Sequence, residues 1–231
     1  GYNAQAQFRF EEAEQWAKES LVLFSDIEDR GGLALSLECL GENYLYMGRY
    51  TQAIKTQYET LQLHEEMGTH KRTAWSHWRL SHSYLHAGEY TKSKGAVETF
   101  LSIVKDAQYE RGAGLLMLGS IALIENDLAT AVNCFAQSEA FMRSITFPVS
   151  LRWYQGYHVV TLVCCGELEK ARQVIIDTLD AQELSPVGII LFAGIALLFW
   201  AEKRWEQATE LYTLARTNPY AGKSQWVADV I

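Results

Sequence analysis

The sequence has few prolines, few cysteines and no basic clusters, and each shortage excludes a class of protein. The three prolines are Pro148, Pro186 and Pro219, far apart in 231 residues. Long stretches are therefore free of the residue that most strongly interrupts a helix. The four cysteines are Cys39, Cys134, Cys164 and Cys165; two are adjacent and none forms a C-x-x-C pair. That spacing provides neither a disulfide framework nor a zinc site. Free thiols packed as small hydrophobes suit a reducing compartment, so a cytoplasmic location is expected. Lys and Arg number 20 against 28 acids, giving a net charge of −8, and they are scattered. A nucleic-acid binder needs a basic patch to neutralise phosphates, so direct DNA or RNA binding is not expected.

No N-terminal stretch combines a basic start, an apolar run and a small-residue cleavage site. The longest apolar run, VGIILFAGIALLFWA from Val187 to Ala201, has 15 residues. It falls short of the roughly 20 needed to cross a bilayer, and it reads as a buried helix. No membrane partner is expected. With 48% hydrophobic residues the chain can bury a sizeable core.

What the sequence does contain is a repeat. LGENYLYMGRYTQA (Leu40–Ala53) returns as LSHSYLHAGEYTKS (Leu80–Ser93). A large residue precedes a small one, an aromatic follows, then a turn glycine, a tyrosine and a small residue. LGSIALIENDLATAVNCF, VVTLVCCGELEKARQVI and IALLFWAEKRWEQATELY continue the pattern, and FRFEEAEQWA supplies Phe10, Ala13 and Ala17 upstream. The turns fall at 48, 88, 126, 166 and 203, at intervals of 37 to 40 residues. Apolar spacing of three and four within each unit predicts two amphipathic helices. The glycine between them suits a left-handed C-cap, and Asn126 is the best substitute for it. Small residues such as Gly41 and Ala53 allow close approach of the two helices. Ser185-Pro186 reads as an N-cap followed by the first helical residue.

These phased motifs resemble the tetratricopeptide repeat family in a form of about 40 residues per repeat, and the resemblance spans essentially the whole chain. It implies an all-α, right-handed superhelical solenoid of antiparallel helix pairs, with about six repeats in one domain over 1–231. The repeats are expected near 1–28 (partial), 31–67, 71–106, 109–143, 148–181, 185–217, and 222–231 as the start of another. Gly1 falls mid-helix in this phase, and GKSQWVADVI opens a unit without a partner, so a piece of a longer protein is expected. Gln57, Thr60, His158 and Lys203 depart from the pattern.

Motifs with possible chemistry are weak. The GKS in AGKS (Ala221–Ser224) lacks the earlier glycine and the preceding strand of a phosphate loop, and reads as a polar linker. His82 and His86 share a helix face, with Glu38 and Glu42 on the matching face one unit earlier. A His-carboxylate cluster is permitted, but H-E-x-x-H is absent, and a polar surface is the simpler reading. No metal, cofactor or catalytic residue is expected. A metal-dependent hydrolase at His82 and His86 ranks last among the readings.

In repeats of this family the first helices line a groove. In phase, that groove takes Glu38, Glu42 and Tyr46, then Trp75, Trp78, His82 and His86, then Trp153 and Trp200. Aromatics on a face that should be wet suggest recognition, because Trp and Tyr are enriched in binding hot spots. The groove reads as acidic at its N-terminal end and apolar toward its C-terminal end. The expectation is a non-enzymatic module that recognises a protein or peptide segment, or a small-molecule effector. The irregular spacing and the TNPYAGKSQWVADVI ending resemble the C-terminal sensor arms of large bacterial regulators with a nucleotide-binding switch domain. The alternative is a structural scaffold that self-associates through its apolar terminal repeats.

Overall fold

The repeat period becomes visible at the helix ends. In the computed structural model, which describes residues 9–105, 107–143, 148–179, 188–217 and 225–230, helices alternate with short turns. Two compact units divide at Lys105 and Asp106. The first holds α1 (Phe10–Asp26), α2 (Arg30–Tyr46), α3 (Tyr50–Glu66), α4 (His70–His86) and α5 (Tyr90–Val104). The second holds α6 (Gln108–Ile124), α7 (Leu128–Arg143), α8 (Pro148–Cys164), α9 (Leu168–Leu179), α10 (Gly188–Ala201), α11 (Trp205–Thr217) and α12 (Gln225–Val230). Within each unit, helices adjacent in sequence pack together from α1 to α5 and from α6 to α11. The fold is all-α, built from antiparallel helix pairs.

The same hydrogen-bond motif closes turn after turn. After α2, Arg49 N–H donates to Tyr44 O at 2.8 Å and Gly48 N–H to Leu45 O at 3.0 Å. This is the six-to-one and five-to-two pairing that satisfies orphan carbonyls at a helix end. It recurs after α4, α6, α8 and α10 at Gly88, Asn126, Gly166 and Lys203. All five positions have positive φ, from 59° at Asn126 to 79° at Gly88. These are the turns read from the sequence. The same motif also closes α1 at Glu28 and α3 at Gly68. Asp29 caps α2 by accepting from Gly32 N–H at 3.0 Å, and Asp127 does the same for Thr130 N–H at 3.1 Å.

Small residues set the helix spacing within each pair. Ser81 Oγ donates to Ser93 O at 2.9 Å, and Ser93 Oγ donates back to Ser81 O at 2.8 Å. Gly119 lies so close to Phe135 that a Cβ there would sit 3.0 Å from the ring. The residues that depart from the repeat pattern have their own partners. Gln57 is buried and accepts from Ser83 Oγ at 2.9 Å, while Thr60 Oγ1 donates to Thr56 O at 2.9 Å. His158 is half-buried and stacks on Phe135 at 6.1 Å. The long apolar run forms α10, whose Leu191, Ile195 and Leu198 join a core with Val159, Leu162, Ala171 and Ile175. No helix among the described residues is long and apolar enough to cross a membrane. The Ser185-Pro186 cap and the AGKS segment lie outside the described residues.

Candidate functional site

In the first unit, α4 carries a continuous row of rings. Trp75 and Trp78 meet edge-on at 5.5 Å, Trp78 meets His82 at 5.3 Å, and His82 meets His86 at 4.9 Å. Tyr50 of α3 extends the row by stacking on His86 at 6.1 Å. Phe100 of α5 anchors the other end, 5.4 Å from Trp75. The spacing of three, four and four residues keeps all four α4 side chains on one side of the helix. Trp75, Trp78 and His86 are half-buried and His82 is buried. Burial holds the His82 imidazole well below its ordinary pKa, with a smaller push from His86. Burial lowers His86 to about 4. Both rings are therefore neutral at pH 7 and act as flat, weakly polar members of the row.

Beside this row lies an ion network. Glu38 of α2 is buried, and His64 of α3 meets its Oε1 from Nε2 at 2.9 Å. His64 Nδ1 faces the Thr69 hydroxyl at 3.1 Å. Thr69 Oγ1 also donates to His64 O at 3.1 Å, and because a carboxylate only accepts, the Glu38 contact places the ring proton on Nε2. Arg72 Nη1 approaches the two Glu38 oxygens at 3.3 and 3.5 Å. Arg79 donates from Nε to Glu42 Oε1 at 2.7 Å and from Nη2 to Glu38 Oε2 at 3.4 Å. The two acids expected to make this end of the face acidic are thus matched by two guanidiniums. The face is close to neutral there, which corrects the sequence expectation.

The sequence-predicted residues divide accordingly. Trp75, Trp78, His82 and His86 form the ring row, and Arg79 joins Glu38 to Glu42. Tyr46 is half-buried with its ring tilted 6.0 Å from Phe10. The Trp153 side chain lies outside the described residues. Trp200 belongs to the second unit, where it is 60% exposed and meets Trp205 edge-on at 4.7 Å. A cleft of about 250 Å³ opens beside it, lined by Ala196, Leu197, Ala208, Thr209 and Tyr212. Sequence reasoning missed Arg72, Arg79 and His64. Arg72 and Arg79 sit three residues before and four after Trp75, so the stripe spacing could have found them; His64 carries no such signal. Among the described residues, no three His, Cys, Asp or Glu converge to hold a metal.

A tetratricopeptide repeat model matches residues 32–106, which span α2 to α5 and hold the ring row and the ion network. Over this segment the chain is similar to the tetratricopeptide repeat family. Among solved structures, a Rap protein complexed with competence and sporulation factor matches with a TM-score of 0.78 at 15% identity. The match covers 100% of this chain and 64% of that one, so the chain spans less than two thirds of that protein. At that identity the likeness shows the fold. The P58(IPK) TPR domain matches with a TM-score of 0.40 at 13% identity, over 98% of this chain and 66% of that one. No curated protein matches the chain.

Proposed function

We propose that the α2/α4 face is a recognition surface for a protein or peptide segment, and that the chain acts by binding rather than by catalysis. The observation that carries this is the row Trp75–Trp78–His82–His86, four rings in mutual contact along one helix face, with three of them half-buried. Aromatic rings supply large contact area at low entropic cost. The fold likeness to a protein solved with a bound factor supports the same reading. A sensor role within a larger regulator extends it. A segment bound across several helix pairs would bias how those pairs stack, to the extent that it prefers one arrangement. The test is capture of a synthetic pool of random octapeptides on immobilised protein. The parent retains peptide above background, and a Trp75→Ala/Trp78→Ala variant with an unchanged circular dichroism spectrum retains much less. Equal capture by both removes recognition from this face.

A second reading, self-association as a scaffold, is favoured by the last helix pair, where Trp200, Trp205, Tyr212 and Leu214 are all exposed. Sedimentation velocity decides it. A mass that rises with concentration, and does not rise in a Trp200→Ser/Trp205→Ser variant, supports that reading.

A further inference from the structure

We infer that the segment recognised by the α2/α4 face is acidic, and that Arg72 holds its carboxylate while Trp75 and Trp78 take the adjoining apolar or aromatic group. This rests on the recognition role proposed above and specifies the chemistry of the partner.

The two guanidiniums beside Glu38 are held differently. The Arg79 side chain is 17% exposed and is held by Glu42 at 2.7 Å as well as by Glu38. The Arg72 side chain is 49% exposed and reaches Glu38 at 3.3 and 3.5 Å. Those distances lie at or beyond the long end of a good N–H···O bond. When Arg72 turns away, Glu38 keeps the 2.9 Å contact with His64, and Arg79 at 3.4 Å remains within ion-pair distance. Arg72 can therefore turn outward without leaving a buried carboxylate unpaired. Its planar fork suits a ligand carboxylate, which it can grip with two parallel bonds.

The surroundings favour the same charge. Glu42 is 21% exposed and engaged by Arg79 through Oε1, and Glu38 is 4% exposed, so both acids are less accessible than Arg72. His82 and His86 are neutral. Trp75 stands one helical turn beyond Arg72, with Trp78 edge-on to it. A ligand carboxylate at Arg72 therefore brings its neighbouring side chain against indole.

The experiment sequences the random octapeptides captured by the parent, by Arg72→Gln, by Arg72→Lys and by Trp75→Ala/Trp78→Ala, in 50 mM and 500 mM salt, roughly a threefold change in screening length. For the parent in low salt, the captured pool is enriched several-fold in Asp and Glu over the input, and high salt reduces that enrichment. Arg72→Gln returns acid content to the input level but keeps the enrichment in apolar and aromatic residues. Arg72→Lys keeps part of the acid bias. A parent pool with no acid enrichment, or enriched in Lys and Arg, overturns the inference and leaves recognition at this face standing. So does an acid bias that survives in Arg72→Gln. Capture no greater than by the double tryptophan variant removes the recognition role and this inference with it. Arg72 is half exposed, and matching melting curves for parent and Arg72→Gln exclude unfolding as the cause of a lost bias.

Discussion

Removing the Glu38 carboxylate tests how the first unit is held together. Glu38 lies where α2, α3 and α4 meet, and each oxygen faces at least two donors: His64 and Arg72 at Oε1, Arg79 and Arg72 at Oε2. In Glu38→Ala the consequences differ by partner. Arg72 is half exposed and turns to water, and Arg79 keeps Glu42. His64 has no such outlet, because its side chain is 1% exposed. Its Nε2–H loses its acceptor and stays buried, at a cost of about 1–3 kcal/mol. The vacated side-chain volume adds to this. Breaking a buried pair by deleting one partner costs about 3–5 kcal/mol. With both arginines able to relax, the low end applies, and we expect about 3 kcal/mol.

The assay is urea unfolding followed by far-UV circular dichroism at pH 7. With a slope of about 2 kcal/mol per molar urea, the midpoint of the transition falls by about 1.5 M. The double variant Glu38→Met/His64→Leu removes both buried polar groups together. Replacing a buried pair by apolar residues of similar volume is often neutral or stabilising, so its midpoint should return to within about 0.5 M of the parent. A Glu38→Ala midpoint within about 0.3 M of the parent would show that these contacts contribute no more than surface ion pairs, and the reasoning fails.

Three further predictions follow from geometry and burial. Gly194→Ala in α10 places a Cβ 2.7 Å from Val159 Cγ1, 3.1 Å from its Cβ and 3.3 Å from Gly156 O, so overpacking costs about 1–3 kcal/mol in the same urea assay. Lys203→Gly relieves a lysine at φ 62° and stabilises the second unit by about 0.5–1 kcal/mol, read as a rise in the thermal midpoint. His82 and His86 are depressed in the folded state, His86 from 6.5 to about 4. The unfolded chain therefore binds more protons between about pH 4 and 6.5. Stability contributed by the neutral rings is complete above pH 6.5 and is lost as pH falls through that window. Thermal midpoints at pH 7.5, 6 and 5 fall in that order, and His82→Phe/His86→Phe makes the series shallower; an unchanged slope in that variant refutes the assignment.

The helix order and the intra-pair turns were legible because backbone geometry dictates them. A left-handed residue closing a helix needs glycine or asparagine, and Gly48, Gly88, Asn126 and Gly166 supply that requirement in phase. Lys203 was found only because the phase located it, since nothing about a lysine announces φ 62°. The turns at Glu28 and Gly68 were missed, one because glutamate gives no signal there, the other because the motif was phased on the turn within each pair rather than the turn between pairs. The ring row was legible from helical spacing alone: 75, 78, 82 and 86 fall on one face whatever the rest of the chain does.

The charge balance was not legible because the stripe of α2 that holds Glu38 and Glu42 shows only acids. Glu38 and Glu42 stand there unaccompanied, and their partners come from elsewhere: Arg72 and Arg79 from α4, His64 from α3. A helix-phase argument sees one face of one helix. It cannot see that α4 brings two cations across to meet α2. Once the pairing is known, the arithmetic changes, from two exposed acids to two matched pairs with one guanidinium, Arg72, less tightly held than the other. The consequence is that the acidity of this groove end is cancelled. A groove end that reads as acidic becomes one whose most accessible charge, among Glu38, Glu42, Arg72 and Arg79, is positive, set beside two tryptophans. That change follows from the position of α4 against α2, which is why the charge proposed for the ligand, more than the fold or the ring row, rests on three dimensions.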